Sequence, residues 1–247
     1  MKKLASLILA VAMILSVCAF AEEAAEEVAV MTYDEFMAAA IDDQVCVETY
    51  VQANQSWWDG KITLYTQTEE GAYFVYNAEC DEETAALLVP GTAIRVTGYK
   101  AEWSGEIEIA DATIEILEAE EPWIAEPVDV TELLGTDELI NYQNQLVTFT
   151  NVTIEPYSYT DEGETVTTEN AFAYKWNGTG EQGDDLYFNV SVGGTTYTFT
   201  VESYLCGKDT EIYQAIEALE VGETVTLDGF LYWYNGVNPH ITAISRG

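Results

Sequence analysis

Flat aromatic side chains beside short turns carry the clearest chemical signal in this sequence. Trp57 and Trp58 stand in a Trp-Trp-Asp-Gly turn, and Trp103 precedes a Ser-Gly turn. Exposed rings of this kind can stack on sugar rings or on nucleobases, and nearby lysines can donate hydrogen bonds. The sequence therefore predicts one ligand platform: Trp57, Trp58, Lys61, Tyr65, Tyr73, Lys100 and Trp103. The alternative is that these rings pack against neighbouring parts of the chain.

Side chains that could perform catalysis are scarce. His240 is the single histidine, and no serine or cysteine motif marks a nucleophile for it to activate. We expect His240 to be a surface or strand-end residue. The sequence has no glycine-rich phosphate loop, zinc signature or calcium loop. It therefore predicts no catalytic residue, no cofactor, no metal site and no enzymatic activity.

A repeated stretch organises the rest of the chain. Residues 91–109 and 222–241 both alternate apolar and polar residues, cross an aromatic patch and turn at Ser-Gly or Asn-Gly. Both copies carry glycines in the same spacing: Gly91, Gly98 and Gly105, then Gly222, Gly229 and Gly236. This alternation is typical of a strand, a tight turn and a second strand. The repeat predicts two small β domains with a shared plan.

The first domain, residues 31–117, is predicted to hold one helix before its first strand and another between its third and fourth strands. Thr32 and Glu35 fit a capping box at the start of the first helix, and Asp81 can cap the second. Alternation and turn residues predict five strands: 45–56, 61–67, 72–78, 93–102 and 106–117.

The second domain, residues 131–247, follows a proline-containing linker over residues 118–130. Its predicted elements are a helix over 131–142, strands over 146–157, 186–192 and 195–206, a helix over 210–219, and the repeated strand pair. An insertion over 158–185 lies between its first and second strands, and residues 169–176 within it predict an extra strand.

These stretches resemble tandem OB-fold domains of an exported bacterial protein. The residues that carry the resemblance are Tyr-Val-Gln-Ala-Asn-Gln-Ser-Trp-Trp-Asp-Gly-Lys, Gly-Ala-Tyr-Phe-Val-Tyr-Asn and Val-Thr-Gly-Tyr-Lys-Ala-Glu-Trp-Ser-Gly-Glu-Ile-Glu-Ile. The resemblance implies a mainly β protein with two five-stranded Greek-key barrels. It also implies that ligands bind beside the loops joining strands one to two and four to five.

The N-terminal residues predict export. Lys2 and Lys3 precede an apolar run that ends in a small-residue cleavage site at Ala21, which is typical of a secretory signal over residues 1–21. The run is too short to predict a membrane span. An acidic spacer over residues 22–30 is expected to be disordered. The alternative is a lipid anchor at Cys18, which the bulky Val17 disfavours.

The charge and the cysteines of the sequence limit which binding partners and metal ions can be expected. The sequence has 8 basic and 44 acidic residues and a net charge of −36. Because nucleic-acid binding draws on Lys and Arg contacts to phosphate, this charge disfavours a nucleic-acid partner. Cys46, Cys80 and Cys206 show no metal-binding spacing. They are expected to be buried thiols, with a Cys46–Cys80 disulfide as the alternative.

These observations predict a secreted or cell-surface, non-enzymatic binding protein. A glycan or a protein partner is the expected ligand, held at the aromatic mouth of the first barrel. Two alternatives remain from the sequence: a nucleic-acid-binding protein, and a structural spacer that binds no ligand.

Overall fold

The computed structural model describes residues 28–119 and 121–246. The predicted signal over residues 1–21, Cys18 and most of the acidic spacer lie outside these ranges. Among the described residues, no helix has both the length and the apolar character needed to cross a membrane.

Residues 33–116 form barrel 1, a closed five-stranded barrel with two short helices. Its elements are helix α1 (Tyr33–Ala38), strands β1 (Gln44–Asn54), β2 (Lys61–Gln67) and β3 (Ala72–Glu79), helix α2 (Glu82–Ala85), and strands β4 (Ala93–Trp103) and β5 (Glu106–Ile116). The strands pair in the order β1-β2-β3-β5-β4, and β4 returns to β1 to close the ring. This order and the helix after β3 confirm the predicted OB-fold plan.

Side chains stabilise helix α1 at both of its ends, and the one at its C-terminal end comes from barrel 1. At its start, Thr32 and Glu35 form the predicted capping box. At its end, the Lys100 ammonium donates hydrogen bonds to the carbonyl oxygens of Phe36, Met37 and Ala39 at 2.9 to 3.0 Å. A cation at a helix C-terminus satisfies carbonyls that have no partner within the helix. Lys100 is therefore buried in a structural role.

Barrel 2 repeats the same strand order. Its strands are β6 (Val128–Asp129), β7 (Leu146–Glu155), β8 (Ser158–Asp161), β9 (Glu164–Thr167), β10 (Phe172–Tyr174), β11 (Leu186–Val192), β12 (Thr195–Val201), β13 (Thr224–Phe230) and β14 (His240–Arg246), with helix α3 (Glu211–Glu217) after β12. The sheet runs β11-β12-β14-β13-β7, and β11 also pairs with β7. This second ring matches barrel 1 strand for strand, so the fold is a tandem of OB barrels.

Two details of barrel 2 differ from the sequence prediction. The segment before its first strand is not an α-helix but two 3₁₀ turns, Thr131–Leu133 and Asp137–Tyr142, because Gly135 with φ +81° separates them. The insertion contains the predicted short strand β10 and also a separate hairpin of β8 and β9, whose alternation is too brief to stand out in the sequence.

The cysteines of the described ranges are free thiols. Cys46 and Cys206 are buried and Cys80 is half-buried. Burial raises the pKa of Cys206 to about 11, so this thiol stays protonated at neutral pH.

The two barrels share a small aromatic core. The Tyr65 ring in β2 stacks on Phe230 at the end of β13, with ring centroids 4.6 Å apart. Tyr65 also meets Phe74 edge to face at 5.1 Å, and Phe74 meets Tyr232 at 5.2 Å. The Tyr65 hydroxyl lies 2.6 Å from His240 Nδ1. Burying large rings from both sides couples the two barrels.

His240 is the first residue of β14, but it is buried rather than at the surface. Its ring stacks on Tyr232 with centroids 4.3 Å apart. Burial lowers the pKa of His240 to about 3, because the protonated ring would lose its hydration there. The neutral ring can then accept a hydrogen bond from the Tyr65 hydroxyl.

A buried carboxyl group extends this interface. Glu106, the first residue of β5, accepts hydrogen bonds from the Trp233 backbone N–H at 2.8 Å and from Gln143 Nε2 at 3.1 Å, both at Oε2. Its Oε1 is buried and has no hydrogen-bond partner among the described residues. Burial raises the pKa of Glu106 to about 8. The group is therefore protonated at neutral pH, which lowers the cost of its desolvation.

The turns of the two repeats meet beside Glu106. The Asn235 backbone N–H donates to the Ser104 carbonyl oxygen at 2.7 Å. A side chain at Gly105 would lie 2.9 Å from Trp233 Cδ1, so the bare glycine lets the indole approach. The strand-turn-strand motif therefore builds each barrel and also helps to join them.

The matched glycines Gly98 and Gly229 lie at the same place in both barrels. The pairing of β4 with β5 shifts register between Thr97 and Tyr99, and the pairing of β13 with β14 shifts beside Gly229. A methyl group at Gly98 would lie 2.7 Å from the Ala110 carbonyl oxygen, and one at Gly229 would press on the His240 carbonyl oxygen. Backbone occupies the space that a side chain needs.

We predict that Gly98→Ala and Gly229→Ala each lower the free energy of unfolding by about 1 to 3 kcal/mol, because the backbone must move to admit the methyl group. Urea unfolding monitored by circular dichroism measures this. Gly207→Ala is the control, since its methyl group would meet nothing closer than the Ser203 carbonyl oxygen at 3.5 Å. Equal midpoints for all three variants would contradict the prediction.

A second prediction concerns Glu106→Gln. The pKa of Glu106 is about 8 in the folded chain and 4.5 in the unfolded chain. Between pH 4.5 and pH 8, the folded chain therefore keeps a proton on Glu106 that the unfolded chain has released. The free energy of unfolding of the natural chain therefore falls as pH rises through this window. A Gln amide reproduces the protonated group, so the variant should gain about 4 kcal/mol over the natural chain by pH 8.5 relative to pH 5.

Urea unfolding at several pH values gives this difference directly. Glu102→Gln, an exposed carboxylate on the neighbouring strand, is the matched control for removing one negative charge. A difference that is constant from pH 5 to pH 8.5, or the same for both variants, would show that Glu106 is not protonated in the folded protein.

Candidate functional site

The structure divides the seven predicted platform residues among different environments. Tyr65 is buried between the barrels with 1% of its surface exposed. Tyr73 is buried against α1, where its ring meets Phe36 edge to face at 5.0 Å, and Lys100 caps that helix. The platform predicted from the sequence therefore does not form with these three residues, because each is covered by another part of the protein.

The remaining four platform residues are accessible, but they do not form one surface. Trp58 and Lys61 line a shared groove. Trp57 points its Nε1 at the Cys80 carbonyl oxygen, 3.0 Å away, which fixes the indole beside the end of β3. Trp103 is exposed at the end of β4, away from the groove lining.

This aromatic groove has a volume of about 570 Å³. It is lined by the β1–β2 loop, the adjoining parts of β2 and β3, and one residue of barrel 2: Gln55, Ser56, Trp58, Asp59, Lys61, Ile62, Thr63, Tyr76, Asn77 and Tyr204. In an OB barrel, this loop and the outer surface of the second and third strands form the usual ligand site. The groove therefore lies at one end of the expected surface, beside the start of β2, while barrel 2 covers the middle of that surface at Tyr65 and Phe74.

Three aromatic side chains of the groove are exposed to solvent. Trp58 is 79% exposed, and Tyr76 and Tyr204 are 46% and 65% exposed. An indole this open has few packing contacts to lose and a free face to offer. A backbone hydrogen-bond pair between Trp58 and Lys61 at 3.0 Å in each direction closes the turn and holds both residues at the groove.

Tyr204 is brought to the groove by contacts between the barrels. The Ser56 backbone N–H donates to the Tyr204 carbonyl oxygen at 2.9 Å. Glu202 accepts hydrogen bonds from Gln55 Nε2 at 3.2 Å and from the Tyr204 and Leu205 backbone N–H groups. Burial raises the pKa of Glu202 to about 7. The second barrel therefore completes the groove on the first.

Sequence reasoning misses Tyr76, Asn77 and Tyr204. Alternation along β3 could have identified Tyr76, since the preceding Val75 is buried in the core of barrel 1 and successive strand residues point to opposite faces. Asn77 breaks the alternation with φ +48°. No signal in the sequence indicates Tyr204, because its position depends on how the barrels dock.

Among the described residues, no group of three His, Cys, Asp or Glu side chains is arranged to hold a metal ion. The groove offers stacking surfaces, one ammonium group at Lys61, one carboxylate at Asp59 and the amide groups of Gln55 and Asn77. These rings and polar groups are suited to binding a planar ligand by stacking and hydrogen bonds.

No protein-family model matches the sequence, and no curated protein matches it. Solved structures do match. A murine DNA-binding protein bound to double-stranded DNA is 10% identical, with 82% of this chain and 96% of that chain covered and a TM-score of 0.38. The Ifi202 HINa domain in complex with double-stranded DNA is 12% identical, with 83% and 96% covered and a TM-score of 0.32.

The wild-type single-stranded DNA-binding protein from Thermus aquaticus is 14% identical, with 85% of this chain and 94% of that chain covered and a TM-score of 0.24. At these identities and TM-scores, the likenesses assign no ligand to this chain. All three matched structures are described as DNA-binding proteins or DNA complexes. These descriptions contradict the expectation of a glycan or protein ligand with nucleic acid disfavoured, and that expectation is withdrawn.

Proposed function

We propose that this chain is a non-enzymatic binding protein whose aromatic groove holds unpaired bases of a single-stranded nucleic acid. The observation that carries the proposal is the 79% exposed Trp58 indole in a groove on the outer surface of β2 and β3. Each base has two flat faces, and stacking on an aromatic side chain does not depend on base identity.

The groove is suited to bases rather than to paired duplex. Trp58, Tyr76 and Tyr204 approach it from a loop, a strand and the second barrel. Rings from separate elements can each meet a different base once the bases are unstacked from one another. Gln55 and Asn77 supply donors and acceptors for base edges.

The charge of the protein determines how such binding must work. Arg95 is paired with Glu48 and Glu115, and Arg246 is paired with Glu223. Lys61 is the cation that lines the groove, and the net charge is −36. Phosphate contacts therefore contribute little, and stacking supplies most of the affinity. Repulsion between the acidic surface and the phosphates opposes binding and is screened by salt.

A second candidate function is a structural unit that binds no ligand. The observation that favours it is the inter-barrel core, in which Tyr65 and Phe74 are buried by Phe230. In this arrangement the aromatic side chains of barrel 1 serve chiefly to fix the second barrel, and the groove is a by-product of docking.

Export remains part of the proposal, supported by the charged and apolar N-terminal residues. In a bacterial host we expect the protein outside the cytoplasm with a mature chain that begins at Glu22. N-terminal sequencing of the recovered protein tests this. A chain that begins at Met1 and stays in the cytoplasm would contradict export, and lipid on Cys18 would replace secretion by anchoring.

The binding proposal predicts saturable binding of a fluorescein-labelled oligothymidine of about 12 nucleotides, a length within the usual range for OB barrels. Trp58→Ala should weaken binding about tenfold, since one stacked base is lost. Raising the salt concentration from about 50 to about 200 mM should strengthen binding, the reverse of the usual dependence. Fluorescence anisotropy measures both effects.

Trp176→Ala is the matched control, because Trp176 is also exposed but lies in the insertion of barrel 2 outside the groove lining. An equal loss in both variants would show that binding is not at the groove. The absence of any anisotropy change at high micromolar protein and at every salt concentration would overturn the proposal and favour the structural unit.

A further inference from the structure

A second cavity on barrel 1, beyond the C-terminal end of β2, combines aromatic rings with carboxylates. Its volume is about 360 Å³, and it is lined by residues from the start of α1, from β1, from the β2–β3 turn, from β3 and from the segment after β5: Met31, Thr32, Tyr33, Glu48, Tyr50, Thr68, Glu69, Glu70, Tyr73 and Trp123. The aromatic groove lies at the opposite end of β2. This aromatic-acidic cavity is therefore a separate site.

The rings of the cavity are held in two pairs. Tyr33 and Tyr73 meet edge to face with centroids 5.6 Å apart, and Tyr50 and Trp123 are tilted at 5.6 Å. Gly71 makes room for the first pair, since a side chain there would lie 2.5 Å from the Tyr33 ring. The geometry of this pair therefore requires a glycine in the turn.

A buried glutamine, Gln52, holds the chain segment that carries Trp123, the partner of Tyr50 in the second pair of rings. The Gln52 side chain is 7% exposed. It accepts a hydrogen bond from the Ala125 backbone N–H at 2.8 Å and donates to the Trp123 carbonyl oxygen at 3.4 Å. The Trp123 backbone N–H donates to the Gly91 carbonyl oxygen at 3.3 Å. The segment after β5 is thus tied to β1, and its indole is set at the cavity.

The electrostatic environment of the cavity is negative. Glu48, Glu69 and Glu70 contribute three carboxylates, and no Lys, Arg or His is in the lining. Arg95 compensates Glu48 at 2.7 Å, but Glu69 and Glu70 form no ion pair among the described residues. Burial and then the neighbouring Tyr33 and Glu70 raise the pKa of Tyr73, so its hydroxyl stays neutral.

We propose that the aromatic-acidic cavity binds a small organic cation of the quaternary ammonium or alkylated amine class. The faces of Tyr and Trp rings attract such cations, and the attraction grows when water is displaced. The volume suits a small molecule. A bare metal ion does not fit, since the described residues include no group of three carboxylate, thiol or imidazole ligands. The site is independent of nucleic-acid binding at the groove.

Isothermal titration with choline tests the proposal against its neutral isostere, 3,3-dimethyl-1-butanol, in which carbon replaces the charged nitrogen. Choline should bind saturably at one site, and the isostere should bind at least about tenfold more weakly because it lacks the cation–π and Coulomb attraction. Equal affinity for both, or no saturable binding of choline, would overturn the proposal.

Three variants locate the binding. Trp123→Ala should weaken choline binding about tenfold, and Tyr50→Phe should preserve it because the ring face remains. Glu70→Gln should weaken it about threefold, which keeps the proposal testable if Trp123→Ala fails to fold. Glu79→Gln, an exposed carboxylate at the other end of β3, is the charge-matched control.

The variants also separate this site from the groove. Trp58→Ala should leave choline affinity unchanged, and Trp123→Ala should leave oligothymidine affinity unchanged. If Glu70→Gln and Glu79→Gln reduce choline affinity equally, the effect comes from overall charge and the site assignment fails. Choline binding that only Trp58→Ala removes would place the cation in the groove and overturn the assignment.

Discussion

The stacked contact between Tyr65 and Phe230, 4.6 Å from centroid to centroid, is the interaction on which the arrangement of this protein depends. It places the outer surface of β2 in barrel 1 against the end of β13 in barrel 2. Tyr204 then reaches the groove beside Trp58, and Glu106 is enclosed between the repeated turns. Large rings buried from both sides give such an interface most of its stability, while the buried polar groups give it one preferred arrangement.

The strand plan could be predicted from the sequence because each barrel obeys a simple rule. Residues facing a barrel core are apolar and alternate with others, and glycine-containing turns mark the ends. The predicted bounds of β2 coincide with Lys61–Gln67. The register shifts at Gly98 and Gly229 both occur where the neighbouring backbone is too close to admit a side chain.

The site could be predicted only in part. Alternation along a strand identifies the face that packs into its own barrel, but it does not show that a second barrel covers the opposite face. Six of the seven residues of β2 are buried, since barrel 2 covers the face that an isolated barrel would leave open. Gln67 looks solvent-facing in the sequence, yet its Oε1 accepts a hydrogen bond from the Leu146 backbone N–H of barrel 2. Lys100 is equally misleading, because a lysine is usually solvated unless, as here, several carbonyl oxygens receive it.

The residues that follow the matched glycines differ in their surroundings. The residue after each glycine is aromatic, but Tyr99 in barrel 1 is 45% exposed whereas Phe230 in barrel 2 is 3% exposed. Equivalent positions therefore play unequal parts: the ring after the glycine is open to solvent in barrel 1, whereas in barrel 2 it is buried against Tyr65 of barrel 1. Duplication of the strand-turn-strand motif has thus supplied a contact residue from one copy, while the matching residue of the other copy has no such task. A substitution at Phe230 should therefore disturb the union of the barrels, and the same change at Tyr99 should not.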